Sequence, residues 1–394
     1  MKKIMFYCQY LAGMGHLVRS TEIIRSLVHE FQVCFVNGGE PIASFEFPTE
    51  AEVVHLPPIV EEAGELKAVD GLQTLEAVKA ARKTQLIEIF ERFQPDCLII
   101  ECFPFSKHKL KFELIPLLDW VKASPQPPKV VCSLRDLIMT QTMTAEAWAK
   151  RYDKVCDLVN QYFDLVLVHG DPKLVRLEEQ FPKVNQLKCQ VAYTGYVAQS
   201  LLESTPISAE DEMALNQHTP MVVVSAGGGR FGYELIDAVV KASRILETPH
   251  QIQVFTGPFM PENQFATLQA EASSRVVIRR YTSHLLEYME RADLSISLGG
   301  YNTTMNILRT GVRSLIFPEA SEEQTGEQTI RAEKLAEKGV LQVLYRDDLQ
   351  PNRLTQIIMA ALQQPLVAHG FNLQGATQSM IQLQKLLYQT AAVA

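Results

Sequence analysis

No CxxC pair stands among the seven cysteines, Cys8, Cys34, Cys97, Cys102, Cys132, Cys156 and Cys189. They lie scattered through apolar runs, where a thiol behaves as a small hydrophobe, and this reads as a protein of a reducing compartment, the cytoplasm. Positive charge is also short: 37 Lys and Arg face 45 Asp and Glu, a formal net charge of -8. General nucleic-acid binding needs a dense basic surface and is excluded on that count, although a local basic patch stays open. No run approaches the roughly 18 uninterrupted apolar residues of a membrane-spanning helix, so any membrane contact is expected to be peripheral. The first residues lack a signal-peptide pattern, because Gln9, Tyr10 and Gly13 break the apolar stretch early; they read as a first strand.

What remains is 47% apolar and 21% charged over 394 residues, enough for two hydrophobic cores. Short apolar runs alternate with longer helix-period segments, the pattern of parallel strands joined by crossover helices. Strands are expected at 3–8, 32–37, 52–55, 97–101, 129–133 and 165–169, with helices at 18–30, 73–93, 111–122 and 145–162. A polar stretch, Gln199 to Pro220, breaks the rhythm and reads as a linker. The rhythm restarts with strands at 221–225, 251–256, 276–279, 294–298, 314–317 and 341–344. The expected domains are residues 1–203 and 204–374, both doubly wound and Rossmann-like, with a helix at 375–394 packing back on the body. Two such sheets in series are expected to face each other across a central cleft, and ligands bind at the carboxyl ends of such strands.

Three strand-to-helix turns carry chemistry. Gly13-Met14-Gly15-His16 follows the first strand; His16 can take a proton from an acceptor hydroxyl or can simply pack beside a tight turn, and the sequence leaves both readings open. Gly227-Gly228-Gly229-Arg230 follows the first strand of the second half and forms a nest of backbone N–H groups suited to phosphate oxygens, with Arg230 adding charge. Glycines are also needed by tight turns for conformational reasons alone. Gly299-Gly300-Tyr301-Asn302-Thr303-Thr304 repeats the arrangement, so the second half has two anion-capable turns, which suits a diphosphate. Asn302, Thr303 and Thr304 stand where they can cap the helix or bind ligand.

With these turns, the stretch YTSHLLEYMERAD (281–293) and the block from Ser297 to Pro318 followed by EQTIRA (327–332), nearly the whole chain resembles the MurG-related GT-B glycosyltransferases. Within them it is most similar to predicted glycosyltransferases with a GGYNT-type turn. The resemblance implies a GT-B fold and an inverting transfer from a nucleotide diphosphate sugar, UDP-linked, of a hexose or N-acetylhexosamine. It implies His16 as base, Gly227 to Arg230 and Gly299 to Thr304 on the diphosphate, Tyr281, Thr282 and Asn306 at the base and ribose, and Glu327 and Gln328 at the donor sugar. Fixed dipoles suffice for the leaving group, so no metal or other cofactor is expected. Two positions depart from the family: Asn306 stands where a ribose-binding glutamate is usual, and Gln199 where related enzymes place an arginine near the phosphates, a role open to Arg230.

The acceptor side is expected to involve Gly13, Gly15, Arg135 and Asp136. Lys107, His108, Lys109 and Lys111 form a basic cluster that is either a solvated face or a place to meet a phosphorylated or lipid-linked acceptor at a membrane surface. His169 to Pro172 reads as a structural turn. Two other readings of the same architecture remain: a nucleotide-sugar epimerase or hydrolase, and a non-catalytic partner subunit.

Overall fold

Continuous apolar runs such as IMFYC, CLII and MVVV are buried along their length, as expected of parallel strands covered on both faces. The computed structural model describes residues 1–11, 15–42, 45–62, 64–69, 73–138, 143–201, 207–318 and 326–388. These form two units, Met1–Ala198 with Phe371–Ala394, and Gln199–Gly370.

Unit 1 is built on seven parallel strands: β1 (Lys3–Cys8), β2 (Gln32–Asn37), β3 (Glu52–His55), β6 (Cys97–Glu101), β7 (Lys129–Arg135), β8 (Leu165–His169) and β9 (Gln190–Tyr193). Their order is β3-β2-β1-β6-β7-β8-β9. Between β3 and β6 in the chain, β4 (Ile59–Glu62) and β5 (Glu65–Ala68) form a separate antiparallel hairpin. Alternate residues of β1 face opposite ways. Ile4 and Phe6 meet α1 (Gly15–Leu27) and α12 (Gly375–Tyr388), whereas Met5 and Tyr7 meet the side carrying α2 (Leu75–Phe93), α3 (Lys111–Ala123) and α4 (Ala145–Tyr162). The returning chain is tied down where Asn372 N donates to Asp171 Oδ2 at 2.9 Å and Tyr196 N to Asn372 O at 2.7 Å.

A second anchor of unit 1 is fully buried. Arg82 on α2 forks onto Glu113 of α3 at 2.7 and 2.8 Å, while Tyr7 OH donates to the same carboxylate at 2.5 Å. The other guanidinium donors reach Gln9 Oε1 and the carbonyls of Gly38 and Pro57, which follow β1, β2 and β3. One bidentate pair therefore fixes two helices to three strand ends.

Unit 2 repeats the topology with six parallel strands: β10 (Met221–Ser225), β11 (Gln251–Phe255), β12 (Val276–Arg279), β13 (Leu294–Leu298), β14 (Ser314–Phe317) and β15 (Gln342–Val343). The order is β12-β11-β10-β13-β14-β15. Val222 and Val224 pack with α6 (Tyr233–Ser243) and α11 (Pro351–Gln363). The remaining helices are α5 (Ala209–Asn216), α7 (Glu262–Gln269), α8 (Leu285–Arg291), α9 (Tyr301–Thr310) and α10 (Glu327–Glu337).

The stretch read as a linker holds α5, a correction with a physical cause. Ser208 caps the helix by accepting from Asp211 N at 3.0 Å, and the Asp211 carboxylate accepts from Arg279 at 2.8 Å and Tyr288 OH at 2.9 Å. A helix of eight residues, half of them polar, is held chiefly by one buried carboxylate and not by an apolar stripe, so it carries no hydrophobic period to read. Residues 202–206 of the same stretch lie outside the described residues.

Candidate active site

In each sheet the strand order reverses beside the first strand, between β1 and β6 in unit 1 and between β10 and β13 in unit 2. Chain connections diverge there and leave a crevice at the carboxyl ends.

In unit 1 that crevice holds His16, in the first turn of α1, against Glu101, the last residue of β6. His16 Nδ1 lies 2.5 Å from Glu101 Oε1. Arg19, one turn along α1, donates to the same oxygen through Nη2, and Cys102 Sγ donates to it at 3.2 Å. The Glu101 side chain is fully buried while His16 keeps 18% of its side chain exposed. Burial alone would protonate Glu101, but His16 and Arg19 outweigh it and hold the carboxyl well below its usual range. For His16, burial is the largest influence and pushes the pKa down to about 3; Glu101 opposes it, and Lys107 and Arg135 add to it. The pair is thus a carboxylate and a neutral imidazole. An ionised carboxylate only accepts, so Nδ1 carries the proton and the Nε2 lone pair is left to act as a base.

The ligand-type atoms of His16, Glu101 and Cys102 lie within 4.8 Å of one another, the spacing of a metal triad. The residues fit a metal poorly. Arg19 already places a cation on the shared oxygen, and burial raises the Cys102 thiol to about 11, keeping its proton.

Neither Glu101 nor Arg19 stands out in the sequence. Glu101 is 85 residues from His16 along the chain, and the available signal was a carboxylate closing an otherwise apolar run, CLIIE. Of the expected acceptor-side residues, Gly15 opens α1, Arg135 ends β7 close enough to influence His16, and Asp136 is buried against Gly170. Gly13 lies outside the described residues. His169 is enclosed between Ser133 Oγ at 2.7 Å and Thr194 Oγ1 at 2.9 Å, a structural position.

In unit 2, β10 and β13 run side by side with Ser225 opposite Ser297, so the two glycine turns leave the sheet from neighbouring strand ends. Gly229 and Gly257 pack backbone to backbone: a Cβ on Gly229 would come within 2.5 Å of Thr256 O, and its φ is +87°. Gly229 is therefore required for packing. Gly227 has φ +60°, and no atom comes within 4 Å of where its Cβ would stand; Gly228 meets only Phe259, at 3.6 Å. Arg230 is exposed, its guanidinium 5.8 Å from the Phe259 ring centre. The helix does not begin at this turn but at Gly232, which caps α6.

Gly300 caps α9 directly, with open space around it and no side-chain cap. Asn302, Thr303 and Thr304 are thus not the caps the sequence allowed; Thr304 Oγ1 instead bonds back to Gly300 O at 2.9 Å. Gly299 lies against Gln328, which brings the start of α10 beside the turn, and Glu327 sits 3.8 Å from Arg331. Tyr281 is half exposed beyond β12, whereas the Thr282 hydroxyl is turned inward to Asp211 at 3.3 Å. Asn306 is buried; Nδ2 donates to Gln199 Oε1 at 2.9 Å, and Oδ1 has no partner among the described residues. The two departures from the family pattern thus bond to each other.

The profile of the glycosyltransferase family 28 C-terminal domain matches residues 221–382. A comparison with curated proteins finds no match. Among solved structures, the spinosyn forosaminyltransferase SpnP is similar at TM-score 0.64 and 13% identity, over 98% of this chain and all of that one. A UDP-glucosyltransferase from Polygonum tinctorium aligns at TM-score 0.62 and 12% identity, over 99% of each chain. MurG of Acinetobacter baumannii aligns at TM-score 0.55 and 15% identity, over 99% of this chain and 100% of its own. No helix among the described residues is long and apolar enough to cross a membrane. The chain has the GT-B fold, and its residues 221–382 match the glycosyltransferase family 28 C-terminal domain.

Proposed function

We propose that this chain transfers a hexose or N-acetylhexosamine from a uridine diphosphate sugar to an acceptor hydroxyl, with inversion, without a metal, and with His16 as base. The observation that carries the reading is the His16 and Glu101 pair at the switch point of unit 1. His16 Nε2 takes the acceptor proton as the acceptor oxygen bonds to the anomeric carbon, and Glu101 stabilises the imidazolium that forms. The bond from that carbon to the diphosphate breaks on the opposite face, and its electrons pass to the diphosphate. Backbone N–H groups of the turns at Gly227 to Gly229 and at Gly300 to Thr304 meet that charge, a role fixed dipoles perform without reorganising. Gln328 beside Gly299 supports a contact to the donor sugar. The Asn306 carbonyl, buried and without a partner among the described residues, supports acceptance of a bond from a ribose hydroxyl. Uridine is supported by the resemblance to MurG-related enzymes and by the UDP-glucosyltransferase among the similar folds. All seven cysteines are free thiols, which fits a reducing compartment, the cytoplasm, with any membrane contact peripheral.

A panel of nucleotide sugars incubated with the chain and a host extract, read by mass and by product anomer, tests the proposal. One uridine diphosphate sugar should be consumed and its sugar recovered on an acceptor with inverted configuration. Conversion of the donor to an epimer, or retention at the anomeric carbon, would contradict it.

A further inference from the structure

The basic segment after β6 gains partners that its sequence did not show. His108 stands in a short 3-10 turn (His108–Leu110) that runs into α3, and Lys111 is the first residue of that helix, which no side chain caps. From α4, Arg151 donates through Nη2 to Phe105 O at 3.3 Å and lies 5.3 Å from the Trp148 ring centre, which carries it to the loop leading into His108. Lys154 follows one helical turn later on the same face of α4. Both ring nitrogens of His108 are buried and have no hydrogen-bond partner among the described residues. His108 is half-buried as a residue, but ring nitrogens shut off from solvent are ordinarily bonded, and a pair that is not calls for a water, ion or ligand to account for it. Burial and the cations Arg151, Lys111 and Lys154 together push His108 down to about 4, and Lys154 and Arg151, after burial, also lower Lys111. Among the described residues no carboxylate pairs with His108, Lys111 or Lys154; the nearby Lys109 has Glu61, and Glu113 is taken by Arg82.

We propose that His108, Lys111, Arg151 and Lys154 form a binding site for a phosphate group beside the start of α3, which no side chain caps although the Lys111 N–H is bonded to His108 O. A compact oxyanion satisfies the imidazole, relieves the repulsion among the cations, and meets the helix N-terminus, where backbone N–H groups and the dipole both favour negative charge. The flexible lysine stems supply the adjustment that admits it. A phosphate ester of a soluble acceptor and a phosphate of a lipid headgroup share this chemistry. The link of the site to the acceptor rests on the transferase reading, but phosphate binding is measured apart from transfer.

The test titrates inorganic phosphate into the full chain by calorimetry, following the His108 ring resonances in parallel. Binding that moves those resonances, raises the His108 pKa and weakens about tenfold in Lys111→Ala or Lys154→Ala supports the site. His16→Ala should bind phosphate as the parent does, so failure of the base assignment leaves this result untouched. Flotation with phosphatidylcholine vesicles, with and without phosphatidic acid, separates the sources. Lysine-dependent binding to the acidic vesicles assigns a lipid phosphate, and binding of free phosphate alone assigns a soluble one. No binding of either, or binding unchanged in both lysine variants with correct folding shown by circular dichroism, overturns the proposal.

Discussion

Replacing Glu101 with glutamine changes one oxygen to an amide and tests the dyad with little change of shape. The parent carboxylate accepts from His16, Arg19 and Cys102 at a single oxygen, so the variant loses the charge that fixes the imidazole proton on Nδ1. A glutamine can turn its NH₂ toward His16, which favours the tautomer with the proton on Nε2 and removes the base. Transfer should fall by about 10² to 10⁴, equivalent to a barrier increase of about 3 to 5 kcal/mol. The same change leaves Arg19, whose side chain is 1% exposed, without its counter-ion. Folding should lose about 3 to 5 kcal/mol for that reason, so turnover is measured at low temperature on protein shown to be folded. Donor affinity should stay at the parent value, since the turns proposed to bind the donor belong to unit 2. His16→Ala should show a similar loss of turnover, and the double variant should be little worse than either single one, because groups acting as a unit are not additive. A folded Glu101→Gln protein transferring at the parent rate would refute the reasoning, as would losses that multiply in the double variant.

Gly300→Ala enters open space at φ -60°, so thermal stability should hold within about 0.5 kcal/mol while nucleotide diphosphate binding weakens. Gly229→Ala at φ +87° should instead destabilise the fold by more than about 1 kcal/mol, and the same two measurements separate them. Arg82→Ala strands Glu113 in the core and should cost about 3 to 5 kcal/mol in urea unfolding, more than the joint change Arg82→Met with Glu113→Leu. His16, His108 and His169 all have depressed pKa values in the fold, about 3, 4 and 3. Below their ordinary value near 6.5 the unfolded chain therefore binds more protons than the folded one. Stability should fall as pH drops from about 6.5 towards 3, with the Glu101 contribution lost below about 4.5, and the urea midpoint across pH checks the direction.

The parallel strands were readable because strands covered on both faces are continuous apolar runs: β1, β2, β6, β8, β10 and β13 lie where such runs place them. The hairpin β4–β5 and the strand β9 were not, since they are four-residue segments, mostly half-exposed or exposed, that mix polar with apolar residues and carry no such run. The glycine turns were visible as composition, but composition does not separate a glycine needed for packing, Gly229, from one left in open space, Gly300. The role of Asn302 to Thr304 could not be read because capping depends on where the helix starts, and α9 starts at Tyr301, two residues earlier than a cap at Asn302 requires. Glu101 and Arg82 escaped notice for a common reason. Each acts through a partner 30 or more residues away, and only the fold brings the two together.

The most direct measurement follows backbone amide resonances of the chain during titration with uridine diphosphate. The account predicts that the largest changes fall at Gly227 to Arg230 and at Gly299 to Thr304, the turns that leave adjoining strands at Ser225 and Ser297. Saturable nucleotide binding that leaves both turns unmoved would contradict it.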